Sequence, residues 1–299
     1  MTAMSGRVAV LVFPGTNSED ETLRAVRAVG LDGELVHWST PEALEQFDAF
    51  ILPGGFAYED RIRSGAVAAH DALIDPVIEA AQAGKFVLGI CNGAQILAEA
   101  GLVPGTGPLR RPTAAFAPNA SGRFQSVHVH VKLAVAPKRV SILAGIAADA
   151  VIPAWASHGD GRLAAPADEL ARIERDGHCA FVYCDRDGNP VPAPNGSALD
   201  CAGLVNRAGN VLAIMPHPER DAWNFNHLDA SRDAARSSDM HAARSSDMHA
   251  ARGSDMYATR SDMYATSSPT GAAPDALAPS GGIRFFEHFA RALRGEVPA

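Results

Sequence analysis

Short apolar runs alternate with amphipathic or turn-rich stretches along the first part of the chain. Residues 7–13, 33–38, 49–52 and 86–90 have the length and pattern of buried or half-buried strands. Between them a helix opens near Ser18-Glu19-Asp20, where Ser18 and Glu21 stand at capping-box spacing. Residues 41–46 predict a short helix, 64–83 a long one, and 94–100 another. This alternation predicts an α/β fold with a doubly wound, mainly parallel sheet, in which the loops at the carboxyl ends of the strands build the site.

The pattern changes after Gly101. Residues 127–133 alternate with period 2, which predicts an antiparallel strand with one wet face. His128 and His130 share a face there, a spacing that can ligate a metal but more often marks a solvated strand, which is the expectation. Residues 179–183 predict a further strand, and 201–205 with 210–214 a hairpin across Arg207-Ala208-Gly209, so the parallel sheet gains an antiparallel extension. From 229 to 281 the periodicity is of another kind. Ala-Ala-Arg-Ser-Ser-Asp-Met-His at 234–241 recurs at 242–249 and decays through 264, followed by a Pro/Ala/Ser/Gly-rich linker. No sustained apolar stripe accompanies the octad, so a disordered low-complexity insertion is expected within a single domain spanning 1–299, with an amphipathic helix closing it at 283–294.

Composition narrows the class. With 299 residues, 47 % of them hydrophobic, the chain can bury a sizeable core. A formal net charge of −8 argues against nucleic acid as a partner. No apolar stretch approaches the ~20 residues that cross a bilayer. Four cysteines without a C-x-x-C pair suit a reducing compartment, and Arg7 leads directly into a strand rather than a signal-peptide core, so a cytoplasmic location is expected.

Cys91 ends the apolar run 86–90 and precedes a helix, inside Gly89-Ile90-Cys91-Asn92-Gly93. A cysteine in an apolar run is commonly an inert buried thiol. Small neighbours at a strand-to-helix turn instead describe a nucleophile elbow, with the helix amino terminus favouring thiolate. Two other loops carry glycine, Pro14-Gly15 and Pro53-Gly54-Gly55. Backbone N–H groups of Gly55 and Asn92 could converge on a carbonyl oxygen as an oxyanion hole. Downstream, Ser157-His158-Gly159-Asp160-Gly161-Arg162 has the make-up of a functional loop. In Pro216-His217-Pro218-Glu219 the prolines hold the histidine rigidly, and in extended backbone Glu219 shares its face. A thiol, an imidazole and a carboxylate are the parts of a nucleophile–base–orienter relay.

Gly-Ile-Cys-Asn-Gly-Ala-Gln at 89–95, Leu-Pro-Gly-Gly-Phe at 52–56 and Met-Pro-His-Pro-Glu-Arg at 215–220 together resemble a class I (triad) glutamine amidotransferase, a flavodoxin-like fold. Within that superfamily, Phe-Pro-Gly-Thr-Asn at 13–17 and Ser-His-Gly-Asp-Gly-Arg at 157–162 resemble the glutaminase subunit of phosphoribosylformylglycinamidine synthase. The resemblance covers roughly 7–227 and resumes near 282. It implies Cys91 as nucleophile, His217 as base and then acid, Glu219 as orienter, Gly55 and Asn92 as main-chain oxyanion donors, and Gln95 in glutamine binding. It further implies L-glutamine as substrate and a synthetase partner, with or without a small third subunit, that holds ATP and magnesium; this chain is expected to bind no cofactor or metal. The sequence departs from that pattern at Ser18, where cysteine is frequent, at Glu59, where glycine is usual, and at Asp160, where glutamate is common. Two alternatives share parts of the pattern. One is an amidotransferase for another acceptor; the other is a DJ-1/PfpI-like cysteine hydrolase, although those typically place histidine where this chain has Asn92.

Overall fold

The structure is a computed structural model that describes residues 6–224 and 279–296. In chain order the elements are β1 (Arg7–Val12), α1 (Glu19–Ala28), β2 (Asp32–His37), β3 (Ala49–Leu52), α2 (Ile74–Gln82), β4 (Phe86–Ile90), α3 (Asn92–Glu99), β5 (Ala115–Ala117), β6 (Gln125–Leu133), β7 (Val151–His158), β8 (Arg162–Ala164), α4 (Ala167–Arg175), β9 (Cys179–Cys184), β10 (Cys201–Val205), β11 (Val211–Ile214) and α5 (Ile283–Leu293).

Nine strands form one sheet in the order β2-β1-β3-β4-β11-β10-β9-β6-β7. The first five are mutually parallel, and β10, β9, β6 and β7 continue the sheet by antiparallel pairing. The α/β doubly wound reading with an antiparallel extension therefore holds. Strands β3, β10 and β11 are buried at every position, as expected where both faces of the sheet are covered. All eight residues of α3 are buried as well, because this helix packs on β3, β4 and β11. Helix α5 inserts Phe285, Phe286 and Phe289, each fully buried, with the Phe285 and Phe181 rings 6.3 Å apart. Burial of each such ring contributes about 2 kcal/mol.

The octad repeats fall at 234–264, outside the described residues. The ends flanking that stretch lie side by side: Trp223 and Pro279 form an antiparallel bridge, and the Ser280 N–H donates to the Ala222 carbonyl at 2.9 Å.

Three sequence expectations need correction. The helix expected over 64–83 is broken. Gly65 takes φ +80° so that its backbone can lie against Gln95, only a single turn forms at Ala68–His70, and α2 begins at Ile74. Asp71 is extended there, and its carboxylate accepts from the Leu73 N–H at 2.8 Å and from the Tyr58 hydroxyl. The capping box does not form, because the Ser18 hydroxyl is fully buried and engaged with Asn17 and Arg220. The histidine face of β6 is not solvated at His128. That side chain is 7 % exposed, its Nε2 lies 2.5 Å from the Asp221 carboxylate, and its ring packs edge-on to Trp155.

Candidate active site

Four neighbouring parallel strands, β1, β3, β4 and β11, deliver their carboxyl ends to one place. A cleft of about 250 Å³ opens there, lined among others by Gly55, Asp60, Cys91, Gln95, His158, Asp160, His217 and Arg220.

Cys91 sits at φ +50°, ψ −105°, a conformation that non-glycine residues rarely hold, between the end of β4 and the start of α3. Its neighbours explain how the turn is accommodated. A Cβ on Gly93 would lie 1.9 Å from the Leu52 carbonyl oxygen, and one on Gly89 would lie 2.5 Å from the Gly93 oxygen. The Cys91 N–H is anchored to the Ile214 carbonyl at 2.8 Å, and its Sγ lies 3.7 Å from the Ser157 carbonyl.

His217 follows β11 and is clamped to β7 by two backbone hydrogen bonds with Trp155, at 2.8 and 3.2 Å. Its Nδ1 lies 2.5 Å from Glu219 Oε1, and both side chains are buried. The pair does not arise from extended backbone as the sequence reading had it. Pro218 is helical and Glu219–Asp221 forms a tight turn, which folds the carboxylate back beneath the ring. Facing a carboxylate oxygen, Nδ1 must carry a proton. Burial works against a second proton on the ring, yet the Glu219 carboxylate and the negative charge of Cys91 outweigh it and raise the His217 pKa to about 9. Nε2, at the other end of the ring, is buried and turned to the Cys91 sulfur, whose hydrogen bond adds to the upward shift. Gly54 makes room for the imidazole, since a Cβ there would stand 2.4 Å from His217 Cε1.

The glycine loops are stitched together. Asn17 and Ser18 N–H groups donate to the Gly54 carbonyl at 3.1 and 3.2 Å, and the Phe56 N–H donates to the Gly15 carbonyl at 2.8 Å. A Cβ on Gly55 would collide with Gly15 and Thr16. Asn92 opens α3 directly after the nucleophile. Its side-chain oxygen accepts from the Ala57 N–H at 2.9 Å, and its amide nitrogen donates to Asp60 at 3.1 Å and Gln95 at 2.9 Å. The Gln95 amide is itself engaged with the Asp160 carbonyl oxygen, and Ser64 donates to the Asp160 carboxylate at 2.7 Å. The loop at 157–162 thus forms a wall of the cleft, and Asp160 helps to hold it. Burial, reinforced by the Asp160 charge, raises the Asp60 pKa against the pull of the hydrogen bond from Asn92.

The structure thus brings Gly55, Cys91, Gln95 and His217 to one cleft, with Glu219 bonded behind His217 and Asn92 bonded to Gln95 beside the nucleophile. Sequence reasoning missed the roles of Gly54 as the space for the imidazole, of the Asn92 side chain as the tie between loops, and of Ser18 as the acceptor for Arg220 at 2.8 Å. Only Gly54 left a trace, as one of a glycine pair.

Residues 5–248 match the family model described as the CobB/CobQ-like glutamine amidotransferase domain. The subunit PurQ of phosphoribosylformylglycinamidine synthase from Symbiobacterium thermophilum is 43 % identical over 219 residues, covering 72 % of this chain and 87 % of that protein. The PurQ subunit from Aquifex aeolicus is 40 % identical over 217 residues, covering 72 % and 90 %. Among solved structures, PurLQS from Thermotoga maritima superposes with a TM-score of 0.60 at 30 % identity, covering 73 % of this chain and 90 % of that one. Elbow, oxyanion-type loops and histidine–glutamate pair all lie within the matched region, and the chain belongs to the CobB/CobQ-like glutamine amidotransferase family.

Proposed function

We propose that this chain is the glutaminase subunit of a phosphoribosylformylglycinamidine synthase, releasing ammonia from glutamine for a synthetase partner. The observation that carries the reading is the strained Cys91 sharing one cleft with the buried His217–Glu219 pair, in a chain about 40 % identical to PurQ subunits.

Cys91 Sγ attacks the carboxamide carbon of glutamine, and the oxyanion that forms is received by the Gly55 and Asn92 N–H groups. The positive end of α3 adds to that stabilisation. His217 Nε2 gives its proton to the departing nitrogen, the C–N bond breaks, and ammonia leaves a γ-glutamyl thioester on Cys91. His217 then takes a proton from water as it attacks the thioester, releasing glutamate and restoring the thiolate–imidazolium pair. Glu219 fixes the ring through Nδ1 in both halves. Gln95 holds the wall against which glutamine lies. Asp60, Asp160 and Arg220 among the lining residues give the cleft both signs of charge, which suits a zwitterionic amino acid.

In this reading the chain binds glutamine without cofactor or metal, ATP and magnesium reside on the partner, and the assembly is cytoplasmic. Among the described residues no helix is long and apolar enough to cross a membrane. The test mixes the chain with a synthetase subunit that already aminates formylglycinamide ribonucleotide using free ammonia. Glutamine should replace ammonia, and Cys91→Ala should abolish the glutamine reaction while the ammonia reaction continues. Glutamate release through Cys91 without glutamine-dependent amidation would assign the chain to another acceptor.

A further inference from the structure

His158 is the last residue of β7, is 3 % exposed and lines the same cleft as Cys91 and His217. None of the steps above uses it. Its hydrogen-bond partners fix which ring nitrogen carries the proton. Asn119 donates through its side-chain nitrogen to two carbonyls, those of Arg123 at 2.9 Å and of His158 itself at 2.8 Å. The Asn119 side-chain oxygen must then face the other way, where it accepts from the Gly161 N–H at 3.2 Å and lies 3.1 Å from His158 Nδ1. Nδ1 is consequently the donor, and Nε2 carries a bare lone pair. Nε2 is buried and has no partner.

An orphaned buried acceptor carries the full cost of its lost hydration and calls for an explanation. Protonation does not relieve it, because burial and the nearby His217 charge hold the His158 pKa down to about 4. The ring is also locked in place: a Cβ on Gly161 would stand 2.2 Å from it. The cleft therefore contains two buried imidazoles, one whose Nε2 is turned to the Cys91 sulfur and one, that of His158, whose Nε2 has no partner. That of His217 is a charged donor, and that of His158 a neutral acceptor. A group that suits both must accept a proton from one side and offer an N–H to the other. The nitrogen of a carboxamide as it becomes ammonia is such a group.

We propose that His158 is a further catalytic residue, whose Nε2 accepts a hydrogen bond from the departing nitrogen of glutamine while His217 protonates it. This rests on the glutaminase reading. As the C–N bond breaks, the electron pair on nitrogen takes the His217 proton, the carbonyl re-forms as the Cys91 thioester, and one of the original N–H bonds points at His158. Because His158 stays neutral, it orients ammonia without converting it to ammonium.

The test compares glutamine with a γ-glutamyl p-nitrophenyl ester, whose leaving group has no N–H, using the full chain in complex with its synthetase partner. His158→Leu should lower kcat on glutamine by about 10- to 100-fold, the loss of one aimed hydrogen bond, with KM and ester turnover near wild type. His158→Gln, which places an amide oxygen near the Nε2 position, should recover part of the glutamine rate. Equal losses on ester and glutamine would assign His158 a structural role and overturn the proposal, as would unchanged turnover of glutamine. Failure of the underlying glutaminase reading looks different: wild type itself would release no glutamate from glutamine.

Discussion

The proton on His217 sets the range of pH over which the site can work. Attack needs the sulfur as thiolate and departure needs an imidazolium, and His217 keeps that proton until pH about 9 because Glu219 and Cys91 outweigh the cost of burial. Glutamine hydrolysis should therefore show an alkaline limb near pH 9, and Glu219→Gln should move it downward while lowering kcat by at least about a hundredfold. The same shift is a stability statement. The folded pKa lies above the ~6.5 of an unfolded histidine, so the contribution is fully present below about pH 6.5 and is lost as pH rises through about 9. His158 acts at the other end. Its folded value of about 4 lies below the unfolded one, so the unfolded chain binds the extra proton and stability falls as pH drops from about 6.5 to about 4. Urea midpoints across pH should show both slopes, the alkaline one absent in His217→Asn and the acid one reduced in His158→Asn. Gly54→Ala is a sharper probe of position, since the added methyl would occupy space 2.4 Å from His217 Cε1. It should cost at least about tenfold in kcat on glutamine while leaving the far-UV spectrum unchanged.

At the level of elements, the elbow depends on how closely α3 meets β3. Gly93→Ala would place a methyl 1.9 Å from the Leu52 carbonyl oxygen, and neither β3 nor the fully buried α3 has space to retreat. A loss of more than about 3 kcal/mol, read from chemical denaturation, is expected. The elbow was legible in the sequence because its requirements are local: an apolar run, small residues on either side of Cys91, then a helix. The triad was legible by residue type, but the backbone that unites His217 with Glu219 was not, because a helical Pro218 and a tight turn do what extended chain was expected to do. Helix 64–83 failed for a related reason. Gly65 and Asp71 obey contacts with Gln95 and Tyr58, and these outweigh the local preference for helix. The ties from Asn92 to Ala57 and Asp60, the buried His128–Asp221 pair and the Asn119–His158 bonds that fix the His158 ring each join residues more than 30 apart, which no local periodicity encodes.

Across the whole molecule, the sheet concentrates chemistry at one edge of its parallel half, and the antiparallel half supplies the wall that clamps His217 through Trp155. The chain departs after Asn224 and is described again from Pro279, two places held together by the Trp223–Pro279 bridge and by Ser280, whose hydroxyl donates to the Asp221 carboxylate at 2.8 Å. With these ends already adjacent, a short linker can join them at only a small closure cost. Replacing 229–274 by a short Gly/Ser linker should therefore leave glutaminase activity within about twofold and the urea midpoint unchanged or slightly raised. Covalent chemistry at Cys91 is the claim on which the rest depends. Rapid acid quenching of the chain and its synthetase partner during glutamine turnover, followed by peptide mass spectrometry, tests it directly. The account predicts a γ-glutamyl adduct on the Cys91 peptide that is absent in Cys91→Ala. Steady release of glutamate with that peptide unmodified at every quench time, and undiminished in Cys91→Ala, would contradict it.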